Sequence, residues 1–183
     1  MYEGELVFLR ELEVFDVDEI IREINNVELR KYMNSIVPIS AESEKEWIIR
    51  KNKLMQDGKE YTFAICRKSD GQIIGTTSLF NFNHIIRSAE LGIMIYSPKN
   101  WGKGYGTDAL RVLLNFGFNT LNLHKISLYT FEYNERAISA YKKVGFKEMG
   151  RLRDERFWNG KYYDAIYMEI LEKEWKNLEH NNK

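Results

Sequence analysis

The chain is poor in cysteine and proline. A single cysteine, Cys66, among 183 residues leaves no disulfide framework and no multi-cysteine zinc site. Lying inside a strand-like run, it reads as a small core residue rather than a nucleophile. Two prolines and twelve glycines leave no Pro/Gly-rich linker, which predicts one domain over residues 1–175 and a frayed polar tail over 176–183. No charge sign is in excess: 27 basic side chains meet 27 acidic ones, which excludes the strongly basic footprint of a nucleic-acid binder. No apolar run nears the ~18 residues that span a bilayer. Met1–Arg10 lacks the basic-then-apolar layout of a secretory leader, so a cytoplasmic protein without membrane contact is expected. Three scattered histidines, His84, His124 and His180, have no paired spacing, and no metal site is expected.

The balanced total hides a polarity. Residues 1–30 hold nine acids against three bases, and residues 99–161 hold twelve bases against six acids. Such a chain can take a cationic ligand at one end and an anionic one at the other, or it can simply carry solvated helix faces. Strands and helices alternate. Leu6–Arg10 reads as a strand, and Val17, Ile20, Ile21 and Ile24 have helical spacing. Ser40 suits the N-cap of a helix running to about Met55, and Gly58 suits its stop. Tyr61–Arg67 and Ile73–Phe80 form a hairpin across Asp70-Gly71. Ser88–Tyr96 alternates, with Ala89, Leu91, Ile93 and Ile95 on one face and Glu90, Gly92, Met94 and Tyr96 on the other.

A glycine-rich turn follows, Trp101-Gly102-Lys103-Gly104-Tyr105-Gly106-Thr107, and opens a helix with apolar residues at Ala109, Leu110, Leu113, Leu114 and Phe116. Glycines let backbone N–H groups approach an anion, and a helix N-terminus adds its own free N–H groups. A P-loop would need Ser or Thr after Lys103, and a dinucleotide fingerprint would need a third glycine that is absent. A phosphate cradle of another kind and a plain turn both stay open. Lys125–Phe131 is a further strand. Asn134–Phe146 is an amphipathic helix with Asn134 at its N-cap and Gly145 at its stop, and Ile138, Tyr141 and Val144 share one side of it. Two last strands near Lys147–Arg153 and Tyr162–Leu171 bracket an Asn159-Gly160 hairpin turn.

These motifs resemble the GNAT N-acetyltransferases. The turn with Gly104 and Gly106 is similar to their acetyl-CoA pyrophosphate loop, with Trp101 where many members have Gln or Arg. The run Asn134…Ala137…Tyr141…Gly145-Phe146 is similar to their second signature. Within the family the chain resembles the Rim-type branch and its spermidine-acetylating neighbours, and Asn81-Phe82-Asn83-His84, Arg87-Ser88-Ala89-Glu90, Trp101-Gly102-Lys103-Gly104 and Phe157-Trp158-Asn159-Gly160-Lys161-Tyr162 resemble the spermidine enzymes most. The spermidine enzymes have clustered acids after the position of Tyr32, whereas this chain has the neutral segment Met33–Ile39, with Glu28, Glu42 and Glu44 nearby.

The resemblance implies an α/β (α+β) fold: a mixed, mostly antiparallel sheet of about seven strands, splayed between the fourth and fifth, with about four helices and a bulge eased by Gly92. It implies acetyl-CoA as co-substrate, held by Met94, Ile95, Tyr96, residues 101–107, Asn134, Arg136, Ala137, Tyr141 and Lys143. An acceptor amine is mostly ammonium at neutral pH and must lose a proton before it attacks a thioester. Glu90 is the expected base, or else an ordinary salt-bridge residue. Tyr141 matches the family's general acid, its other reading being a core aromatic. Glu28, Glu42, His84, Glu90 and Phe157 are expected around the acceptor. The expected acceptor is a polyamine such as spermidine; a protein α-amine and a xenobiotic amine are alternatives, and a non-catalytic CoA-binding sensor is the alternative of another class. A homo-oligomer is expected.

Overall fold

The computed structural model describes residues 1–33 and 37–181, without the side chain of Asn181. Asn34, Ser35 and Ile36, within the neutral segment noted above, and the last two residues lie outside the described residues. The strands are β1 (Tyr2–Glu3), β2 (Val7–Glu11), β3 (Tyr61–Arg67), β4 (Ile73–Asn83), β5 (Ser88–Ile95), β6 (Lys125–Phe131), β7 (Lys147–Trp158) and β8 (Lys161–Leu171). The α-helices are α1 (Val17–Ile24), α2 (Val27–Arg30), α3 (Ala41–Gln56), α4 (Tyr105–Asn115), α5 (Glu135–Lys143) and α6 (Glu172–Asn181).

One sheet holds all eight strands in the order β1-β2-β3-β4-β5-β6-β8-β7. Its pairs are antiparallel except β5–β6, which is parallel and spans only Ser88↔Lys125 to Glu90↔Ser127. Beyond Glu90 the two strands part, at the splay expected between the fourth and fifth long strands.

Strand alternation builds two cores. Val7, Leu9, Ile65, Leu79, Ala89 and Leu91 pack with Ala109, Leu110 and Leu113 of α4 and with Tyr141 of α5. On the other face Ala64, Cys66, Ile73 and Tyr96 pack with Val17, Ile20 and Ile24 of α1 and Ile48 of α3.

Local signals operate as read. Ser40 Oγ accepts from Ser43 N–H (3.1 Å) at the start of α3. Asn159 and Gly160 take φ of 50° and 78°, the left-handed pair that a two-residue hairpin turn requires.

The structure corrects several expectations. It has eight strands and six α-helices among the described residues rather than about seven and four. Strand β1 has two residues and α2 one turn, too short for any period to register. The tail expected from Lys176 continues α6, anchored by buried Trp175 and an ion pair between Glu172 and Lys176 (2.5 Å). The bulge expected at Gly92 is absent: Gly92 pairs regularly with Ser78. A Cβ there would come within 3.3 Å of both the Phe80 ring and Ser78 Oγ, so this glycine makes room rather than a bend. Asn134 stands at the N-cap of α5 but makes no side-chain cap bond.

Candidate active site

The splay opens into a cleft of about 440 Å³ walled by β5, β6, the glycine turn and α5. The β5 wall has backbone groups to offer. Tyr96 N–H bonds Ile74 O across to β4 (2.9 Å). Antiparallel alternation therefore turns the N–H groups of Ile93 and Ile95 the other way, into the splay. Trp101 fixes the end of this edge by donating its indole N–H to Ile95 O (2.8 Å).

The glycine turn forms the second wall. Gly104 has φ +87°, and a Cβ on it would lie 3.1 Å from Leu6 Cδ1, so both backbone and space call for glycine. The first bond of α4 is Asp108 N–H to Gly104 O (2.9 Å). The N–H groups of Tyr105, Gly106 and Thr107 have no acceptor within the helix, which makes the turn an anion cradle. Asp108, buried one turn on, accepts from the N–H groups of Glu5 (3.1 Å), Leu6 (2.8 Å) and Val7 (2.9 Å). It thereby clamps the start of α4 to the β1–β2 turn.

Helix α5 supplies the third wall. Tyr141 is buried, and that burial pushes its phenol up to about 12. It stays protonated at neutral pH, as a proton donor must. Asn134 Nδ2 donates to Thr130 Oγ1 (3.3 Å), while its Oδ1 is buried without a partner. A buried acceptor without a donor is costly, and in a cleft it marks a place where a ligand N–H completes the set. Arg136 lies 3.6 Å from the Trp101 ring centroid and 5.5 Å from that of Tyr32. Desolvation lowers its pKa, and no carboxylate pairs with it among the described residues.

Of the residues expected at the cofactor, Met94, Ile95, Trp101, Gly102, Gly104, Tyr105, Gly106, Thr107, Asn134, Arg136, Ala137, Tyr141 and Lys143 line the cleft. Lys103 is exposed and does not line it. Tyr96 is the clear correction. Strand alternation turns it into the α1–α3 core, where its hydroxyl bonds Thr76 Oγ1 (3.3 Å) and burial raises its pKa.

Of the residues expected at the acceptor, Glu90 alone lines the cleft, and it is the only carboxylate to do so among the described residues. Glu28 is exposed and pairs with Lys31 (3.5 Å), and Glu42 is exposed and pairs with Lys45 (3.9 Å). His84 stacks on Phe82 at an exposed hairpin tip, and Phe157 is exposed beside Tyr162. Sequence reading missed Leu29, Tyr32, Phe80, Tyr129 and Phe131, four of them aromatic, which line the cleft together with Glu90. Tyr129 and Phe131 were legible as the strand-alternate partners of Leu128 and Thr130. Tyr32 and Phe80 carry no such signal.

Residues 7–147 match the acetyltransferase (GNAT) domain. The chain is 39% identical to the spermidine N(1)-acetyltransferase of Escherichia coli strain K12 over 124 residues, which is 68% of this chain and 65% of that enzyme. The match therefore spans just under two thirds of that relative's length. The putative ribosomal N-acetyltransferase YdaF of Bacillus subtilis is 34% identical over 107 residues, 58% of each chain. The crystal structure of Vibrio cholerae spermidine N-acetyltransferase in complex with CoA and spermine superposes with a TM-score of 0.83 at 33% identity, covering 95% of this chain and 100% of that one. Splay, glycine turn and buried phenol all fall within the matched stretch, and the chain belongs to the GNAT acetyltransferase family.

Proposed function

We propose that the protein moves an acetyl group from acetyl-CoA to a primary amine, a polyamine such as spermidine first, by direct attack in a ternary complex. The observation that carries this reading is the pairing of Asn134 Oδ1, buried without a donor, with the unpaired β5 edge past Glu90. Together they offer an amide-bearing chain both a strand edge and a side-chain acceptor. The residues fit such a co-substrate: the Tyr105–Thr107 amides and Arg136 suit its phosphates, and the Ile93 backbone suits the pantetheine arm.

Glu90 takes the proton that the acceptor ammonium must lose, directly or through water. The freed lone pair then attacks the thioester carbon. Ile95 N–H faces the oxygen on which negative charge develops. As the C–S bond breaks, Tyr141 gives its proton to the leaving sulfur, and the new amide nitrogen releases its remaining proton to solvent. Cys66 is fully buried in the core under α1 and α3 and does not line the cleft, so no acetyl-cysteine step is invoked.

A cytoplasmic homo-oligomer completes the reading. Its support is the exposed aromatic pair at the β7–β8 tip, Phe157 and Tyr162, with ring centroids 4.9 Å apart.

The test is CoA release from acetyl-CoA, read with a thiol reagent across polyamines, N-terminal peptides and drug amines, with light scattering for assembly. Spermidine or spermine turnover supports the proposal. Turnover confined to peptides moves the acceptor to a protein α-amine. Acetyl-CoA binding without turnover on any amine replaces the enzyme by a sensor.

A further inference from the structure

Past α1 the chain runs along the cleft before α3 begins. Asn25 anchors this stretch, exchanging two amide bonds of 2.8 Å with the backbone of Ile39. Asn26 caps the single turn of α2 by accepting from Glu28 N–H (2.9 Å). Leu29 and Tyr32 line the cleft. Leu29 is buried in the core shared by α1 and α3, and Met33 packs against that core. Helices α4 and α5 pack into the other one. The strap Val27–Met33 and the anion cradle of α4 therefore reach the cleft from different cores.

Two side chains hold the strap by its backbone. Tyr133 Oη donates to Lys31 O (2.6 Å), and Arg156 Nη2 donates to Met33 O (2.7 Å). Lys31 is the C-cap of α2, where carbonyls lack a partner within the helix. Both donors are firmly placed. Tyr133 stands on a turn closed by Asn134 N–H to Phe131 O (2.8 Å), and its ring stacks on Phe131 with centroids 5.6 Å apart. Tyr163 meets Tyr133 edge-on at 4.8 Å and pairs with Arg156 across the β7–β8 ladder. Arg156 lies over the rings of Phe131 (5.4 Å) and Trp158 (5.5 Å). Neither Tyr133 nor Arg156 lines the cleft.

The ring between the two clamped carbonyls bridges the splay. The Tyr32 centroid is 6.0 Å from that of Trp101, which fixes the end of β5, and 6.0 Å from that of Tyr133, which follows β6. Resting on the acetyltransferase reading and deepening it, we propose that Tyr133 and Arg156 are positioning residues for the acceptor amine, holding Tyr32 across the open end of the splay through the carbonyls of Lys31 and Met33. The co-substrate has its own partners in the Tyr105–Thr107 amides and the β5 edge. What the strap adds to the cleft is one apolar side chain and one ring, a wall for the acceptor. A wall already in place spares the acceptor the cost of ordering it, and apparent affinity falls with the fraction of molecules in which the strap is clamped.

The experiment uses Tyr133→Phe, Arg156→Met, their double variant and Arg156→Lys. Amide exchange is followed over residues 27–33, where Tyr32 N–H bonds Leu29 O and Met33 N–H bonds Arg30 O (both 3.0 Å). Exchange there should quicken about fivefold in Tyr133→Phe and about tenfold in Arg156→Met, with α3 unchanged. The KM for spermidine should rise at least about threefold in the double variant, while CoA affinity by calorimetric titration moves less than about twofold. Arg156→Lys keeps a donor and should stay within about twofold of the wild type in both readouts. Exchange left unchanged, a KM left unchanged, CoA affinity lost in parallel, α3 loosened equally, or a lysine variant as impaired as Arg156→Met each overturn the clamp. Should the wild type turn over no amine, the acetyltransferase reading fails by itself, and calorimetric titration of spermidine replaces the KM. Binding weakened at least about threefold in the double variant then supports the clamp, and binding absent from the wild type or unchanged in the variant overturns it.

Discussion

Replacing Asn134 by Ala should move stability and cofactor affinity in opposite directions. An N-cap asparagine changed to alanine ordinarily costs about 1 kcal/mol. That cost does not arise here, because Asn134 makes no side-chain cap bond. What the substitution removes is a 3.3 Å bond to Thr130 Oγ1 and a buried Oδ1 with no partner. Leaving an acceptor unsatisfied costs roughly 1–3 kcal/mol, and a long neutral hydrogen bond returns only about 0.5–1 kcal/mol. The ligand-free protein should therefore gain about 1 kcal/mol, or about 2–4 °C in Tm for a domain of this size. On the proposed reading, bound CoA gives the wild-type Oδ1 its donor, and the variant has nothing to offer. Affinity should fall by about five- to tenfold, the worth of one hydrogen bond of roughly 1 kcal/mol or slightly more. Thermal melts with and without CoA, together with calorimetric titration, read both numbers. A ligand-free Tm that does not rise, or a CoA affinity left intact, would falsify the role given to Oδ1.

Tyr141→Phe should leave CoA affinity nearly unchanged and lower kcat by about 10²–10⁴, measured where chemistry limits turnover; an unchanged kcat removes Tyr141 from the reaction. Because the folded phenol sits at about 12 against an ordinary value near ~10, its contribution to stability is fully present below pH ~10 and is lost as pH rises toward 12. Denaturant midpoints followed through that window should decline less in Tyr141→Phe than in the wild type. Gly104→Val places a β-branched residue at φ +87° and a Cβ 3.1 Å from Leu6. It should cost about 2 kcal/mol and weaken CoA binding, whereas Gly102→Ala, with open space around it, should cost about half as much; equal effects on melting and titration would show that the close approach at Leu6 is immaterial. Asp108→Ala strands three backbone N–H groups at the β1–β2 turn, and urea unfolding should show a loss of about 3 kcal/mol; a loss under about 1 kcal/mol means that water satisfies the turn.

The sequence by itself determined the features that depend on neighbours along the chain. Hairpin turns at Asp70-Gly71 and Asn159-Gly160, the cap at Ser40, the glycine turn before α4 and the spacing of α5 are local, because backbone conformation answers to the few residues around it. The two motifs that carry the family lie wholly within such segments, so Gly104, Asn134 and Tyr141, which line one cleft, could be read as candidate site residues before any fold was known. Tertiary structure decided everything that depends on which surfaces meet. It turned Tyr96 into the second core, left Glu28 and Glu42 in solvent, and brought Tyr32 beside Trp101 across 69 positions of chain, with ring centroids 6.0 Å apart. It also deprived Asn134 Oδ1 of its cap partner and left Glu90 as the one carboxylate that lines the cleft among the described residues. The physical reason is that a side chain's burial, partners and charge environment are set by packing between distant segments, which no local pattern specifies.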